Sequence, residues 1–162
     1  EISIARVFIT DLSDIQLAAF TPAVVNGLVT SSKDMAAIFL NAGAYGSLSI
    51  NQFQALLGGA THIGDIHESA LSNYLSVRAL RSLTPSQINE LTASQFAKLL
   101  ANGTLSKVIF NAGQPGAWAM KQLQAVSALA ISQMTQSQYL QFSGGLALFS
   151  EPQQEAMATN VN

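Results

Sequence analysis

Cysteine is absent from this 162-residue chain. That excludes disulfides, thiolate zinc sites and a cysteine nucleophile, and it leaves the compartment open. Charge is scarce too. Seven Lys and Arg and nine Asp and Glu make up 10% of the residues, against the roughly 25–35% that cover an ordinary soluble domain. Seven cations do not make a nucleic-acid surface, where phosphate neutralisation supplies much of the affinity. A net charge of −2 gives copies of the chain little reason to repel one another, which suits a protein packed beside copies of itself. No apolar run approaches the roughly 20 residues that span a bilayer, so no membrane span is expected. The opening Glu1–Arg6 has neither an initiator Met nor the plan of a signal peptide, as in a mature form or a processed fragment. There is also no GxGxxG turn, Walker loop or nucleophile–base–orienter set. The chain therefore reads as non-enzymatic, with no catalytic residue, cofactor or metal.

What the chain does contain is a pattern used six times: an apolar residue, Ser or Thr, two free positions and Gln, with an apolar residue four places after the Gln. The copies start at Leu12-Ser13, Leu48-Ser49, Leu83-Thr84, Leu91-Thr92, Met134-Thr135 and Phe149-Ser150, with Gln16, Gln52, Gln87, Gln95, Gln138 and Gln153 closing each cap. This is a helix start. The hydroxyl accepts from an early backbone N–H, and the Gln reaches back to the cap residue. In five copies the residue after Gln is apolar as well (Leu17, Phe53, Ile88, Phe96, Tyr139), whereas the sixth has Gln154. Many short helices with frequent turns follow, roughly eight to ten at ~11 residues each plus connections.

The pattern lies within a longer repetition. Residues 38–56 align without gaps on residues 108–126, with seven of nineteen positions identical: Asn41/Asn111, Ala42/Ala112, Gly43/Gly113, Gly46/Gly116, Gln52/Gln122, Gln54/Gln124 and Ala55/Ala125. Leu12–Phe20 matches Leu83–Leu91 at nearly the same offset. A unit of about 70 residues occurs twice, and repetition at this scale predicts a solenoid or superhelix. The expected organisation is one helical repeat domain over 1–162, with repeat one at about 12–82, repeat two at about 83–148 and a partial third start at 149–162. Asn-Ala-Gly ends a helix in each unit, with Gly43 or Gly113 in the left-handed cap conformation. Leu48–Leu57, Ala70–Leu83 and Trp118–Leu129 read as helices, with Leu71, Leu75 and Leu80 pointing inward. Ile2–Ile9 is β-branched enough for a strand, and a helix or an extended lead-in fits it equally.

Few residues offer chemistry. His62, Asp65, His67 and Glu68 lie within seven residues, but histidines five apart do not share a helical face as zinc-binding pairs do. Asp65 and Glu68 fit better as cap and first-turn acid of the following helix. Asp14 beside Ser13 is first-turn chemistry of the same kind. Asn102-Gly103-Thr104 is the only glycosylation sequon, which makes Asn102 a candidate N-glycosylation site in a loop-like stretch. The aromatics Tyr45, Tyr74, Tyr139 and Trp118 read as core or half-buried residues. Trp118, which replaces Leu48 of the first repeat, is also a candidate partner contact.

The spacing of Ile63, Ile66, Leu71, Leu75-Ser76, Leu80, Leu83-Thr84 and Gln87 resembles the repeat of the mesothelin, stereocilin and otoancorin family. Ile131, Met134, Tyr139, Phe142-Ser143, Leu148, Phe149-Ser150 and Gln153 repeat it. Bacterial adhesins with tandem Leu-Thr-x-x-Gln repeats look similar at Leu83–Leu99. The resemblance implies an extracellular, non-enzymatic superhelix used for adhesion or matrix attachment, with no catalytic residues to transfer. The chain departs from the vertebrate family in its lack of cysteine, its low charge and the absence of a GPI-type tail from its last residues.

The expectation is thus an all-α superhelical stack acting as a secreted or cell-surface structural protein, a homo-oligomer or filament without nucleic acid. Ile2–Ile9 and Phe142–Met157 are the expected contact segments. The alternative is a monomeric module that binds a protein or an apolar ligand on a concave helical face.

Overall fold

The computed structural model describes residues 8–59 and 61–159, and every described regular element is helical. Residues 2–7 of the Ile2–Ile9 segment lie outside the described residues, and residues 8–10 are helical. The chain divides into two compact units, Glu1–Ser82 and Leu83–Asn162. The division falls at Leu83, which leads the first Leu-Thr-x-x-Gln start of the chain.

The first unit contains α1 (Asp14–Ala18), α2 (Pro22–Ser31), α3 (Lys33–Leu40), α4 (Ile50–Gly58), a 3-10 turn (Ile63–Asp65), α5 (Glu68–Tyr74) and α6 (Val77–Ser82). Ser13 and Ser49 each accept from the N–H of the Gln three residues on, and that Gln accepts from the cap N–H in return. Thr21 caps α2 with Pro22 in the first turn, where its missing N–H costs nothing. Ser32, in extended conformation, ends α2 and caps α3 through the Met35 N–H. α1 packs on α4, α2 on α3, α3 on α5 and α4 on α6. The core they enclose includes Leu17, Val25, Phe39, Leu48, Phe53 and Leu56, all fully buried.

The second unit contains α7 (Pro85–Glu90), α8 (Ala93–Ala101), α9 (Ser106–Ile109), α10 (Met120–Gln124), α11 (Ala128–Ile131), α12 (Gln136–Tyr139), a 3-10 turn (Gly145–Leu148) and α13 (Glu151–Thr159). Thr84, Thr92 and Thr135 make the same reciprocal caps with Gln87, Gln95 and Gln138. α7 packs on α10, α8 on α11 and α11 on α13. Phe142 stands edge-on to both Phe110 and Phe149, with ring centroids 5.0 and 4.7 Å apart.

Corresponding hydrogen bonds recur in the two units. Gly43 N–H donates to Leu48 O at 2.9 Å, and Gly113 N–H to Trp118 O at 2.7 Å. Leu48 N–H donates to Ile38 O and Trp118 N–H to Val108 O, both at 2.9 Å. The loop so closed needs left-handed backbone twice in each unit: φ is +87° and +79° at Gly43 and Gly46, and +91° and +86° at Gly113 and Gly116. Tyr45, expected in or near the core, sits at the tip of this loop and is fully exposed.

The helices are shorter and more numerous than the spacing suggests, because serines interrupt them. The expected helix over 70–83 is two helices, α5 and α6, broken at Leu75, whose ψ is 121°. Ser76 causes the break. Its N–H donates to Leu40 O at 3.0 Å, and its hydroxyl donates to Ala42 O at 2.7 Å and accepts from Ala79 N–H at 2.9 Å. Leu71, Leu75 and Leu80 still point inward. Likewise Trp118–Leu129 is not one helix. Ala119 is extended, and Ser127 stops the chain to cap α11 through Ala130 N–H at 3.1 Å.

Candidate functional site

The His62–Glu68 cluster is a turn held by an asparagine. His62 N–H donates to the Asp65 carboxylate at 3.1 Å, so Asp65 caps its own 3-10 turn. The cap of α5, expected at Asp65, is instead His67, whose Nδ1 accepts from Ser69 N–H at 3.3 Å. Asn26, in the middle of α2, clamps the turn from outside. Its Oδ1 accepts from His67 N–H at 2.7 Å, and its amide donates to Asp65 O. The polar groups here therefore fasten backbone. Among the described residues, no three His, Cys, Asp or Glu side chains converge to hold a metal ion. The only sequence signal for Asn26 is that Asn-Gly is an odd pair inside an apolar helix. The long-range partner was not legible.

The cap glutamines reach further than their own helices. In Gln52, Oε1 accepts from Ser49 N–H, while Nε2 donates to Thr10 O at 2.8 Å and Leu12 O at 3.1 Å. Gln122 keeps half the cap without a hydroxyl. Its Oε1 accepts from Ala119 N–H, and its Nε2 donates to Leu83 O at 2.8 Å. Gln153 is almost fully buried. Its Oε1 accepts from Ser150 N–H, and its Nε2 donates to Leu123 O at 2.9 Å and Val126 O at 2.8 Å. Two residues beyond the first two, Gln54 donates to Ser82 O at 3.0 Å and Gln124 to Leu148 O at 3.3 Å. These side chains latch segments distant in sequence. Glutamate could form the cap but could not donate the second bond.

Of the residues singled out for contact, Trp118 is corrected. It is fully buried in the second unit, with its backbone bonded to Val108 O, so its ring is not presented to a partner. Asn102 ends α8 on an exposed position, with its N–H donating to Lys98 O at 2.9 Å, and Gly103 turns the chain at φ +85°. Arg78 donates to Gly43 O at 3.0 Å and so belongs to the loop at the end of α3. Phe142 and Phe149 are buried, whereas Leu140 and Leu146 are 79% and 60% exposed.

Two concavities stand out among the described residues. In the first unit, a pocket of about 360 Å³ lies beside Val29, Lys33, His67, Asn73 and Tyr74. In the second unit, an apolar groove of about 510 Å³ runs along Tyr139, Leu140, Phe142, Leu146 and Met157, with Gln154 on its wall. Tyr139 is oriented by its hydroxyl, which donates to Ile131 O at 2.8 Å. The groove suits apolar side chains of a ligand or a partner, with Gln136 and Gln154 as the polar side chains on its wall. No protein-family model, no curated protein and no solved structure matches the chain.

Proposed function

We propose that this chain is a non-enzymatic structural or adhesion protein of the extracellular space or cell surface, acting through self-association and protein–protein contact. The observation that carries this reading is the use made of the polar side chains. Gln52, Gln54, Gln122, Gln124 and Gln153 all hold backbone carbonyls of other segments. The recurrence of the Gln52 and Gln54 bonds at Gln122 and Gln124, 70 residues on, supports a superhelical stack of duplicated units. The resemblance of residues 63–87 and 131–153 to mesothelin-type repeats points the same way. Exposed Ile15, Val24, Leu129, Leu140 and Leu146 supply apolar surface for association, and the net charge of −2 opposes it little.

Light scattering across a wide concentration range, followed by negative-stain microscopy, tests the proposal. Mass rising with concentration, or filaments, is the expected result. A monomer at every concentration would overturn self-association and leave the second reading, a binding module. The apolar groove of about 510 Å³ favours that reading.

A further inference from the structure

We infer that the groove beside α13 is a docking site for a short capping-box helix of the α4 or α10 kind, carried by a partner chain. The inference rests on the protein-contact reading above and names the chemistry of the partner.

The molecule shows twice what covers a helix like α13. α1 and α7 each open with an apolar residue, a Ser or Thr cap and Gln, followed by Leu17 or Ile88, both buried. α1 is covered by α4 and α7 by α10. In each pair the covering helix sends a glutamine amide to the carbonyl of the apolar residue that leads the start: Gln52 to Leu12 O at 3.1 Å and Gln122 to Leu83 O at 2.8 Å.

α13 opens in the same way at Phe149-Ser150. One of its sides packs on α11, and Gln153 bonds Leu123 O at the end of α10 and Val126 O just after it. The other side carries Gln154 and Met157, in the positions of Leu17/Ile88 and Phe20/Leu91, and these line the groove. The counterpart carbonyl, Phe149 O, receives Gln154 Nε2 at 3.0 Å, and the same amide nitrogen donates to Leu146 O at 3.0 Å. A glutamine of α13 itself thus occupies the acceptor that a covering helix takes elsewhere. Exposed Leu140 and Leu146 flank it as apolar contact surface.

The partner this arrangement fits is a helix of five to nine residues, as α10 and α4 are, with Gln as its third residue and an apolar residue next, where Phe53 and Leu123 stand. Docking exchanges the Gln154–Phe149 bond for one from the incoming Gln and covers exposed Leu140 and Leu146, above Met157, which is already buried in the groove floor.

The test uses the whole protein labelled with ¹³C at its methionine methyls, titrated with a synthetic peptide of residues 46–58. Met157 lines the groove, and Met35, Met120 and Met134 do not. The expected result is a saturable shift of the Met157 signal with the other three unchanged. The peptide carrying Gln52→Glu, which lacks the donor, binds about fivefold more weakly, as for one hydrogen bond. The Gln154→Leu protein, which frees Phe149 O and restores an apolar side chain, binds the native peptide more tightly. An unmoved Met157 at several-millimolar peptide in wild-type protein overturns the proposal, as does a scrambled peptide that shifts it equally. If Gln154→Leu fails to fold by circular dichroism, the wild-type titrations with the three peptides decide. Oligomers in light scattering with an unmoved Met157 overturn this site and leave self-association standing. A Met157 shift in a strict monomer does the reverse.

Discussion

Replacing Gln153 by Glu separates a latch from a cap. The two side chains have the same shape, and both accept from Ser150 N–H. The carboxylate, however, cannot donate to Leu123 O and Val126 O, which lie 2.9 and 2.8 Å from Nε2. Each buried carbonyl left facing an acceptor costs about 1–3 kcal/mol, and the buried charge adds to this. Gln153→Glu is therefore expected to destabilise the second unit by about 3–5 kcal/mol at neutral pH. Gln16→Glu is the control. Gln16 is exposed and makes the local pair with Ser13, where an acid in the first turn is tolerated, so its effect stays within about 0.5 kcal/mol. The cost of Gln153→Glu also depends on pH. Burial and the two carbonyls favour the protonated carboxyl, which can donate one bond, so its folded pKa is raised above the ordinary value of about 4.3. The deficit against wild type is then smallest below about pH 4.3 and grows as pH rises through the folded value. Urea unfolding followed by far-ultraviolet circular dichroism measures both variants. Fluorescence of Trp118, the single tryptophan, reports the second unit directly. At roughly 1–3 kcal/mol per molar urea, the midpoint should fall by about 2 M. Equal stability of Gln153→Glu and Gln16→Glu, or a deficit independent of pH, would refute the latch.

Three further substitutions probe the fold. Gly43→Ala forces a side chain onto φ +87° and into Arg78 Cδ at 3.0 Å, whereas Gly103→Ala at φ +85° meets nothing within 4 Å. Gly103→Ala should cost about 1 kcal/mol and Gly43→Ala about 2 kcal/mol or more, read as the difference between their thermal midpoints. Asn26→Ala removes both ends of the clamp on the 63–67 turn and should cost about 2–3 kcal/mol, with hydrogen exchange at the His67 amide accelerating well before global unfolding. Trp118→Leu, which restores the residue of the first unit, should leave a cavity worth about 3 kcal/mol by circular dichroism and leave association unchanged. Altered association in a stable variant would return Trp118 to the surface.

The sequence revealed what is local. Ser13, Ser49, Thr84, Thr92 and Thr135 announce their helices, because both halves of each cap lie within four residues. Gly43, Gly46, Gly113 and Gly116 announce their turns for the same reason. The breaks at Ser76 and Ser127 are not legible because neither serine is followed by a glutamine three residues on, and apolar spacing runs straight through both. Asn26 was illegible because its partners lie 39 and 41 residues away. Trp118 stands out in the sequence as a larger residue in place of Leu48. Whether such a residue is core or contact depends on what surrounds it, which spacing does not encode. The groove was hidden in the same way. Gln154 is visible in sequence as a break in the staple pattern, but the groove it borders is a property of packing.

The preference for glutamine over glutamate at the third helical position links composition to architecture. A capping box accepts either residue, and glutamate would suit the positive helix end better. All six starts nevertheless carry Gln. In buried Gln153 both ends of the amide are engaged, one on the cap and one on distant carbonyls. A fold tied together in this way selects neutral donors, and low charge follows from the latching whether or not copies of the chain associate. Scarcity of charge therefore permits association without directing it. Direction must come from the surface, where Leu140 and Leu146 stand exposed beside Gln154, and where Gln154 takes the carbonyl that a covering helix takes at α1 and α7.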